Sequence, residues 1–238
     1  MKILAIDTSS KICSVSILDD QNIIIEKHND DEKTHSQKLM PLIDELLKES
    51  NLNLDNIDLL ACCQGPGSFT GIRIGISTVK AFSDVKNIPI IGVTSLESLA
   101  YNIKSQGLIA SLIDAKHDNV YFGLYELTSD NVYKTIIEPI SDSITNVITI
   151  LKKYSENITF VGDSSVIQKQ VLQNEFSNCK FASNSENAQT STSVGLSAFD
   201  KFHENGYVDK FTLSPIYLKK SQAEINLEIS KSKQKTLV

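Results

Sequence analysis

No stretch of this chain approaches the ~20 apolar residues that a membrane-crossing helix needs. Its first apolar run, Ile3-Leu4-Ala5-Ile6, is stopped by Asp7 and is too short for the core of a signal peptide. A cytoplasmic protein without a membrane segment is therefore expected. Cysteine is scarce: Cys13, Cys62, Cys63 and Cys179 form no C-x-x-C pair, which excludes a zinc ribbon or a thioredoxin-type centre. Cys62 and Cys63 end an apolar stretch and read as buried reduced thiols, with a vicinal disulfide as the lesser alternative. Histidine is scarce too. His28, His35, His117 and His203 have no second histidine at helical spacing, and no H-E-x-x-H occurs, so no metal site is expected. No serine sits in a G-x-S-x-G elbow. An excess of positive charge is also missing, since 23 Lys and Arg stand against 29 Asp and Glu, a net −6. Phosphate neutralisation supplies most nucleic-acid affinity, so the chain is not expected to grip tRNA or DNA alone.

What is present suits a globular protein: 41% of residues are hydrophobic and 22% charged. The opening reads as three strands joined by short links, Lys2–Ile6, Ile12–Leu18 and Ile23–Glu26, hence an antiparallel meander. In the second of these, Cys13, Val15 and Ile17 share one face and Ser14 and Ser16 the other. A helix is expected from His35 to Ser50, with Thr34 and Gln37 as a capping box, Leu39, Leu42, Ile43, Leu46 and Leu47 as its buried stripe, and a kink at Pro41. A strand at Ile57–Cys62, a Gly/Pro loop, a helix from Ile72 to Asp84 and a strand at Pro89–Val93 follow. Thr94 and Glu97 read as a second capping box, opening a helix that reaches Ile103. Gly107 marks a lobe boundary, giving lobes at 1–106 and 107–220 and a lysine-rich tail at 221–238 that packs back on the first lobe. The second lobe repeats the theme, with strands at Leu108–Ile113, Asn119–Glu126 and Val132–Glu138. Helices at Ile144–Tyr154, Ser165–Asn174 and Ser193–Glu204 alternate with short strands at Ile158–Gly162 and Lys180–Ala182. Two mixed α/β lobes are the expected architecture.

Two segments carry candidate chemistry. Asp7-Thr8-Ser9-Ser10 places a carboxylate and hydroxyls at the end of the first strand. Such a turn suits Mg–phosphate binding, and equally suits an Asx/ST turn that closes a hairpin. Gly65-Pro66-Gly67-Ser68-Phe69-Thr70-Gly71 lacks the Lys-Ser/Thr of a P-loop and the spacing of a dinucleotide fingerprint. With its glycines at a strand-to-helix junction, it permits either a phosphate contact or a sharp turn without ligand. In the helix that follows, Gly71 and Gly75 lie four residues apart, beside the small residues Ser77, Thr78 and Ala81. Interior glycine costs a helix about 1 kcal/mol relative to alanine. Such a stripe commonly faces the protein's own core and otherwise faces another subunit; with Ile72, Ile76 and Val79 available for the core, the glycine side is expected to receive a second polypeptide.

Taken together these residues resemble a known family. Ile6-Asp7-Thr8-Ser9, His35-Ser36 with Leu39 and Pro41, the stretch from Gly65 through Arg73 to Gly75, Ser95-Leu96-Glu97, Asp114-Ala115-Lys116 with Val120-Tyr121, and Pro215-Ile216-Tyr217-Leu218 are similar to the bacterial TsaB (YeaZ) family, the partner subunit in tRNA threonylcarbamoyladenosine formation. The resemblance spans nearly the whole chain, and its most specific element is Gly-Pro-Gly-Ser-Phe-Thr-Gly-Ile-Arg. It implies an actin/hexokinase-like (ASKHA) fold of two lobes and no catalytic residue of its own. It implies pairing with the catalytic subunit TsaD, in a pathway that also holds TsaC and the ATPase TsaE, with tRNA reached only through the complex. A homodimer when alone, and ATP or ADP with Mg at the subunit junction, belong to the same expectation. The weak nucleotide candidates are Asp7, Thr8, Ser9, Gly65 and Gly67. The implied interface is Ser68, Phe69, Thr70, Gly71, Ile72, Arg73, Gly75, Ile76, Thr78, Val79 and Phe82. Lys116 departs from the arginine usual in the family and lacks its planar fork. The alternatives are an ATPase or small-molecule kinase built on Asp7 and the glycine loop, and a metallopeptidase, against which the missing histidine pair argues.

Overall fold

The computed structural model describes residues 1–31, 34–116, 118–154, 157–206 and 212–219. His117 and the tail 221–238 lie outside them. Two five-stranded sheets share one plan. The first has the order β3-β2-β1-β4-β5 from β1 (Lys2–Asp7), β2 (Cys13–Asp19), β3 (Asn22–Asn29), β4 (Leu59–Cys63) and β5 (Ile90–Val93). The second has the order β8-β7-β6-β9-β10 from β6 (Gly107–Asp114), β7 (Asn119–Leu127), β8 (Tyr133–Ser143), β9 (Ile158–Val161) and β10 (Lys180–Phe181). In each, the short links make an antiparallel meander and the later strands join in parallel. Parallel pairing needs a crossover, which helices provide.

The helices are α1 (His35–Glu49), α2 (Phe69–Lys86), α3 (Ser95–Ala100), α4 (Ile144–Leu151), α5 (Asp163–Ile167), α6 (Lys169–Glu175) and α7 (Ser191–Asn205). Several differ from the sequence expectation. α4 ends at Leu151 rather than Tyr154. α2 begins at Phe69, three residues before Ile72, because the Ser68 hydroxyl caps it by accepting from the Gly71 N–H at 3.2 Å. The helix expected over 165–174 is two pieces that meet at Gln168. α3 stops at Ala100, capped by Tyr101. α1 runs on through Pro41.

Five layers stack. Leu39, Ile43 and Leu46 of α1 and Ile72, Ile76 and Val79 of α2 cover one face of the first sheet, against Ile6, Val15, Ile17 and Cys62. Val194 and Ala198 of α7 cover its other face, against Ile3, Ala5, Leu59 and Cys63. Leu96, Leu99 and Ala100 of α3 pack on Ile109, Ile113, Tyr125 and Leu127 of the second sheet. The far face of that sheet is closed by α4 and α6. The central strands of both sheets are thus buried on both sides, as their apolar runs require, while the edge strands β3 and β8 stay partly exposed. The helices cross the line drawn at Gly107: α3 precedes it but packs on the second sheet, and α7 follows it but packs on the first.

α3 and α7 form the central layer and are bonded to each other. The Glu97 N–H donates to Thr94 Oγ1 at 3.1 Å, as a cap should, but the Glu97 carboxylate does not turn back. It accepts from Ser197 Oγ and from Lys201 Nζ, each at 2.7 Å. Tyr101 donates to Asp200 Oδ2 at 2.9 Å. Ser14 and Ser16, the polar side of β2, are buried under α7, where the Ser14 hydroxyl meets that of Ser191 at 2.7 Å. Cys62 and Cys63 are buried free thiols, and desolvation pushes both up from the ordinary thiol range.

Candidate functional site

The first strand ends on Asp7, which is 1% exposed. Its Oδ1 accepts from the Ser9 N–H at 2.8 Å and from the Ser9 hydroxyl at 2.7 Å. That is an Asx turn, the plainer of the two sequence readings. Oδ2 is buried with no hydrogen-bond partner among the described residues. Burial raises the Asp7 carboxyl above the ordinary carboxylate value, and the Ser9 bonds offset part of the rise. The turn is held from two sides: the Ser68 N–H donates to Ser9 O at 2.7 Å, and the His35 ring Nε2 lies 2.8 Å from Ser10 O. The glycine loop is tied into the same lobe. Ser95 donates its N–H to Gly65 O at 2.9 Å and its hydroxyl to Pro66 O, and the Ile216 N–H donates to Gln64 O at 2.8 Å.

This packing tests whether the turn and loop suit a Mg-bound nucleotide. A side chain at Gly67 would run into Ser9 O, so loop and turn are in direct contact with no gap between them. The N–H groups of Ser9, Ser68 and Gly71 are already donated within the lobe. The Asp7 carboxylate is sealed below the turn. These residues, as placed, do not fit a metal–phosphate group. A cleft of about 640 Å³ does open beside them, between the Ser9–Ile12 turn and Gly67 on one wall and Asp114, Asp163 and Asn187 on the other. Asp7 is not part of its lining. At its rim, Lys116 donates its ammonium to Asp114 Oδ2 at 2.5 Å and its backbone N–H to Oδ1 at 2.9 Å, which holds the Asp114 carboxyl below the usual range. Among the described residues, no three His, Cys, Asp or Glu side chains gather in a way that would hold a metal.

α2 corrects the sequence reading most. A Cβ on Gly71 would strike Thr8 O, and one on Gly75 would lie 2.6 Å from Thr8 Oγ1 and 3.3 Å from Cys62 Sγ. Thr8 in turn donates its hydroxyl to Gly71 O at 2.7 Å. The glycines exist so that α2 can lie on the β1 turn of its own lobe. Gly71, Ile72, Gly75, Ile76 and Val79 are all buried there. Of the residues expected at an interface, Ser68, Phe69, Thr70 and Arg73 are exposed, and Thr78 and Phe82 are half-buried. Their outward companions are Ser77 and Ala81, which the sequence reading noted as small residues of α2, Tyr217, which it noted only as a motif residue, and Ile74, Val85 and Met40, which it passed over. Met40 and Val85 carried a signal, since each is an apolar residue outside its helix's buried stripe.

A groove of about 460 Å³ runs between α1 and α2, floored by Leu39 and Ile74 and flanked by Met40 and Phe69. Among the described residues Arg73 is the only charged one of its lining. Met40 is 50% exposed, Phe69 41% and Val85 79%. These side chains form an exposed, largely apolar strip on the helix pair, without a partner among the described residues.

A family model described as TsaD: tRNA N6-adenosine threonylcarbamoyltransferase matches residues 24–227 of the chain. The tRNA threonylcarbamoyladenosine biosynthesis protein TsaB of Bacillus subtilis (strain 168) is 31% identical over 174 residues, covering 73% of this chain and 76% of that protein. The chain belongs to the TsaB family. The protein of the same name from Buchnera aphidicola subsp. Schizaphis graminum is 32% identical over 166 residues, which cover 68% of this chain and 78% of its own length. YeaZ from Pseudomonas aeruginosa superposes with a TM-score of 0.76 at 23% identity, over 91% of this chain and all of that one (100%). ROK hexokinase from Thermus thermophilus gives 0.53 at 8% identity, over 86% of this chain and 100% of its own. The two structures show the fold, which is actin/hexokinase-like. The TsaB relatives are named for threonylcarbamoyladenosine biosynthesis. No described helix is long and apolar enough to cross a membrane.

Proposed function

We propose that this chain is a non-catalytic partner subunit in the formation of threonylcarbamoyladenosine on tRNA, and that its α1–α2 face seats the transferase subunit TsaD. Family membership supports the pathway. The observation that carries the role is the exposed apolar strip along α1 and α2, on a lobe whose phosphate-type turn is sealed shut. Apolar strips of this kind on otherwise polar surfaces mark docking sites. The chain has no histidine pair, so metal chemistry belongs to TsaD, and the subunit acts by holding TsaD in its working arrangement. In this reading TsaE works on the heterodimer, tRNA is met only by the complex, and any ATP or ADP with Mg sits at the subunit junction and not against Asp7. The same face serves a homodimer when TsaD is absent.

Titration calorimetry with purified TsaD tests the reading. A 1:1 complex is expected, and Ser77→Arg, which sets a bulky charge in the middle of the exposed face, is expected to abolish it. Gly75→Arg would not serve, because Gly75 faces the core. Unchanged affinity in Ser77→Arg would remove the face from the proposal. The kinase or ATPase reading predicts tight Mg-ATP binding with turnover by the isolated chain, and the buried Asp7 weighs against it.

A further inference from the structure

Within the exposed face one side chain is prepared in advance. Arg73 donates its Nε–H to the Tyr217 hydroxyl at 2.7 Å. Its guanidinium carbon lies 3.8 Å from the Phe69 ring centroid. Phe69 and Tyr217 stack on each other at 4.7 Å. The Phe69–Tyr217 ring stack and the Tyr217 hydroxyl thus fix the plane of the guanidinium at the mouth of the α1–α2 groove. This costs side-chain freedom and exposes aromatic surface, and no core is built in return. Tyr217 reaches the site because Pro215–Leu218 is anchored, through Ile216 N–H, to the end of β4 at Gln64.

The guanidinium has five N–H donors, and the Tyr217 bond uses the Nε one. Among the described residues no carboxylate pairs with Arg73, although the acidic side chains of α1 are engaged: Asp44 by Lys48, and Glu45 and Glu49 by Lys27. The groove beside it is lined by Leu39, Met40, Phe69 and Ile74 together with neutral serine and threonine hydroxyls, and carries no other charge among the described residues. A planar fork fixed by stacking, with its outer donors free and an apolar slot alongside, matches one kind of partner surface: a carboxylate next to an apolar side chain. Aromatic residues and arginine are also the types that dominate binding energy at protein interfaces.

We infer that Arg73, positioned by Tyr217 and Phe69, receives an aspartate or glutamate of the protein seated on this face, while the neighbouring apolar side chain of that protein enters the groove between Met40 and Phe69. This rests on the proposed seating of TsaD. It adds the chemistry that selects the partner and gives Tyr217 the role of a positioning residue.

The test uses the full chain and purified TsaD, with affinity measured by calorimetry at low and high salt. Arg73→Lys keeps the charge but loses the fork, and weakening of about 10-fold or more is expected. Arg73→Ala should weaken binding further and flatten its salt dependence. Tyr217→Phe keeps the ring stack and loses the phenol acceptor. It should weaken binding about 3-fold, and this loss should vanish when Arg73 is already alanine. One Asp or Glu of TsaD, changed to alanine, should be non-additive with Arg73→Ala. If Arg73→Lys binds like the wild type while Ser77→Arg abolishes binding, the face stands and the carboxylate inference falls. If Ser77→Arg also binds normally, the seating itself falls.

Discussion

Alanine at Gly71 and at Gly75 separates an inward from an outward role for the glycines of α2. Both positions are buried in a helix. Replacing a helical glycine by alanine gains about 1 kcal/mol in propensity. Against that stands the space the new methyl needs. At Gly75 it would sit 2.6 Å from Thr8 Oγ1, a side-chain atom, but one held by its own bond to Gly71 O. Overpacking of this kind costs about 1–3 kcal/mol, so Gly75→Ala should lose on the order of 1 kcal/mol net. At Gly71 the methyl meets the Thr8 carbonyl oxygen, and backbone cannot rotate aside. There overpacking should cost more, about 4 kcal/mol, for a net loss of about 3 kcal/mol. For a chain of this size 1 kcal/mol moves the melting temperature by roughly 2–4 °C. Gly71→Ala should therefore melt about 6–12 °C lower and Gly75→Ala about 2–4 °C lower, while the exposed Ser77→Ala stays near the wild type. Differential scanning calorimetry with a parallel TsaD titration reads both quantities. If Gly71→Ala melts with the wild type and loses only its partner, the glycines face outward and the packing argument is wrong.

Other perturbations probe the central layer and the turn. Glu97→Ala strips Ser197 and Lys201 of their shared acceptor between α7 and α3, and a loss of about 1–3 kcal/mol is expected in chemical denaturation; an unchanged midpoint would mean that α3 and α7 are held by apolar packing alone. Tyr101→Phe removes only the hydroxyl bonded to Asp200 and should cost about 1 kcal/mol, seen as a small drop in melting temperature with the Tyr133 stack intact. Asp7→Asn keeps the Ser9 acceptor and removes a buried charge. Because burial raises the folded Asp7 carboxyl above its ordinary value of 3.8, the contribution of Asp7 to stability is fullest below that pH and declines as pH rises through the raised value, opposite in sign to that of lowered carboxyls such as Asp114. The mutant's stability relative to wild type should thus climb from acid toward neutral pH in urea titrations, and a flat difference would refute the burial argument.

Much of this arrangement can be read from residues. Short links and alternating strands gave both meanders, and the stripe Leu39, Leu42, Ile43 and Leu46 gave α1 and its inner face. Capping chemistry was legible where it is local, as at Thr34, whose N–H donates to Gln37 Oε1 at 3.2 Å. It failed at Glu97, because a carboxylate one turn into a helix has a choice, and here Ser197 and Lys201, about a hundred residues away, outcompete the cap. The direction of the glycine stripe failed for the same reason. Spacing shows that Gly71 and Gly75 share a side of a helix, but not that β1 delivers the Thr8 turn to that side. Tyr217 could be named as a motif residue and not as a partner of Arg73, since 144 residues of chain separate them.

The exchange of α3 and α7 bears on what kind of subunit this is. A cleft that opens and closes needs few contacts across its hinge. Here each sheet is covered on its inner side by a helix from the other half of the chain, and those helices share Glu97, Ser197 and Lys201. Opening the lobes would break those bonds, part Tyr101 from Asp200 and strip α3 or α7 from a sheet, so the cost is several interactions at once. The glycine loop, bonded to Ser9 and Ser95, adds to the stiffness of the first lobe. α2, on whose outer face Phe69 and Arg73 stand, grows directly from that loop. A rigid base is what a pre-organised anchor requires, because affinity is lost wherever a binding side chain must first be ordered.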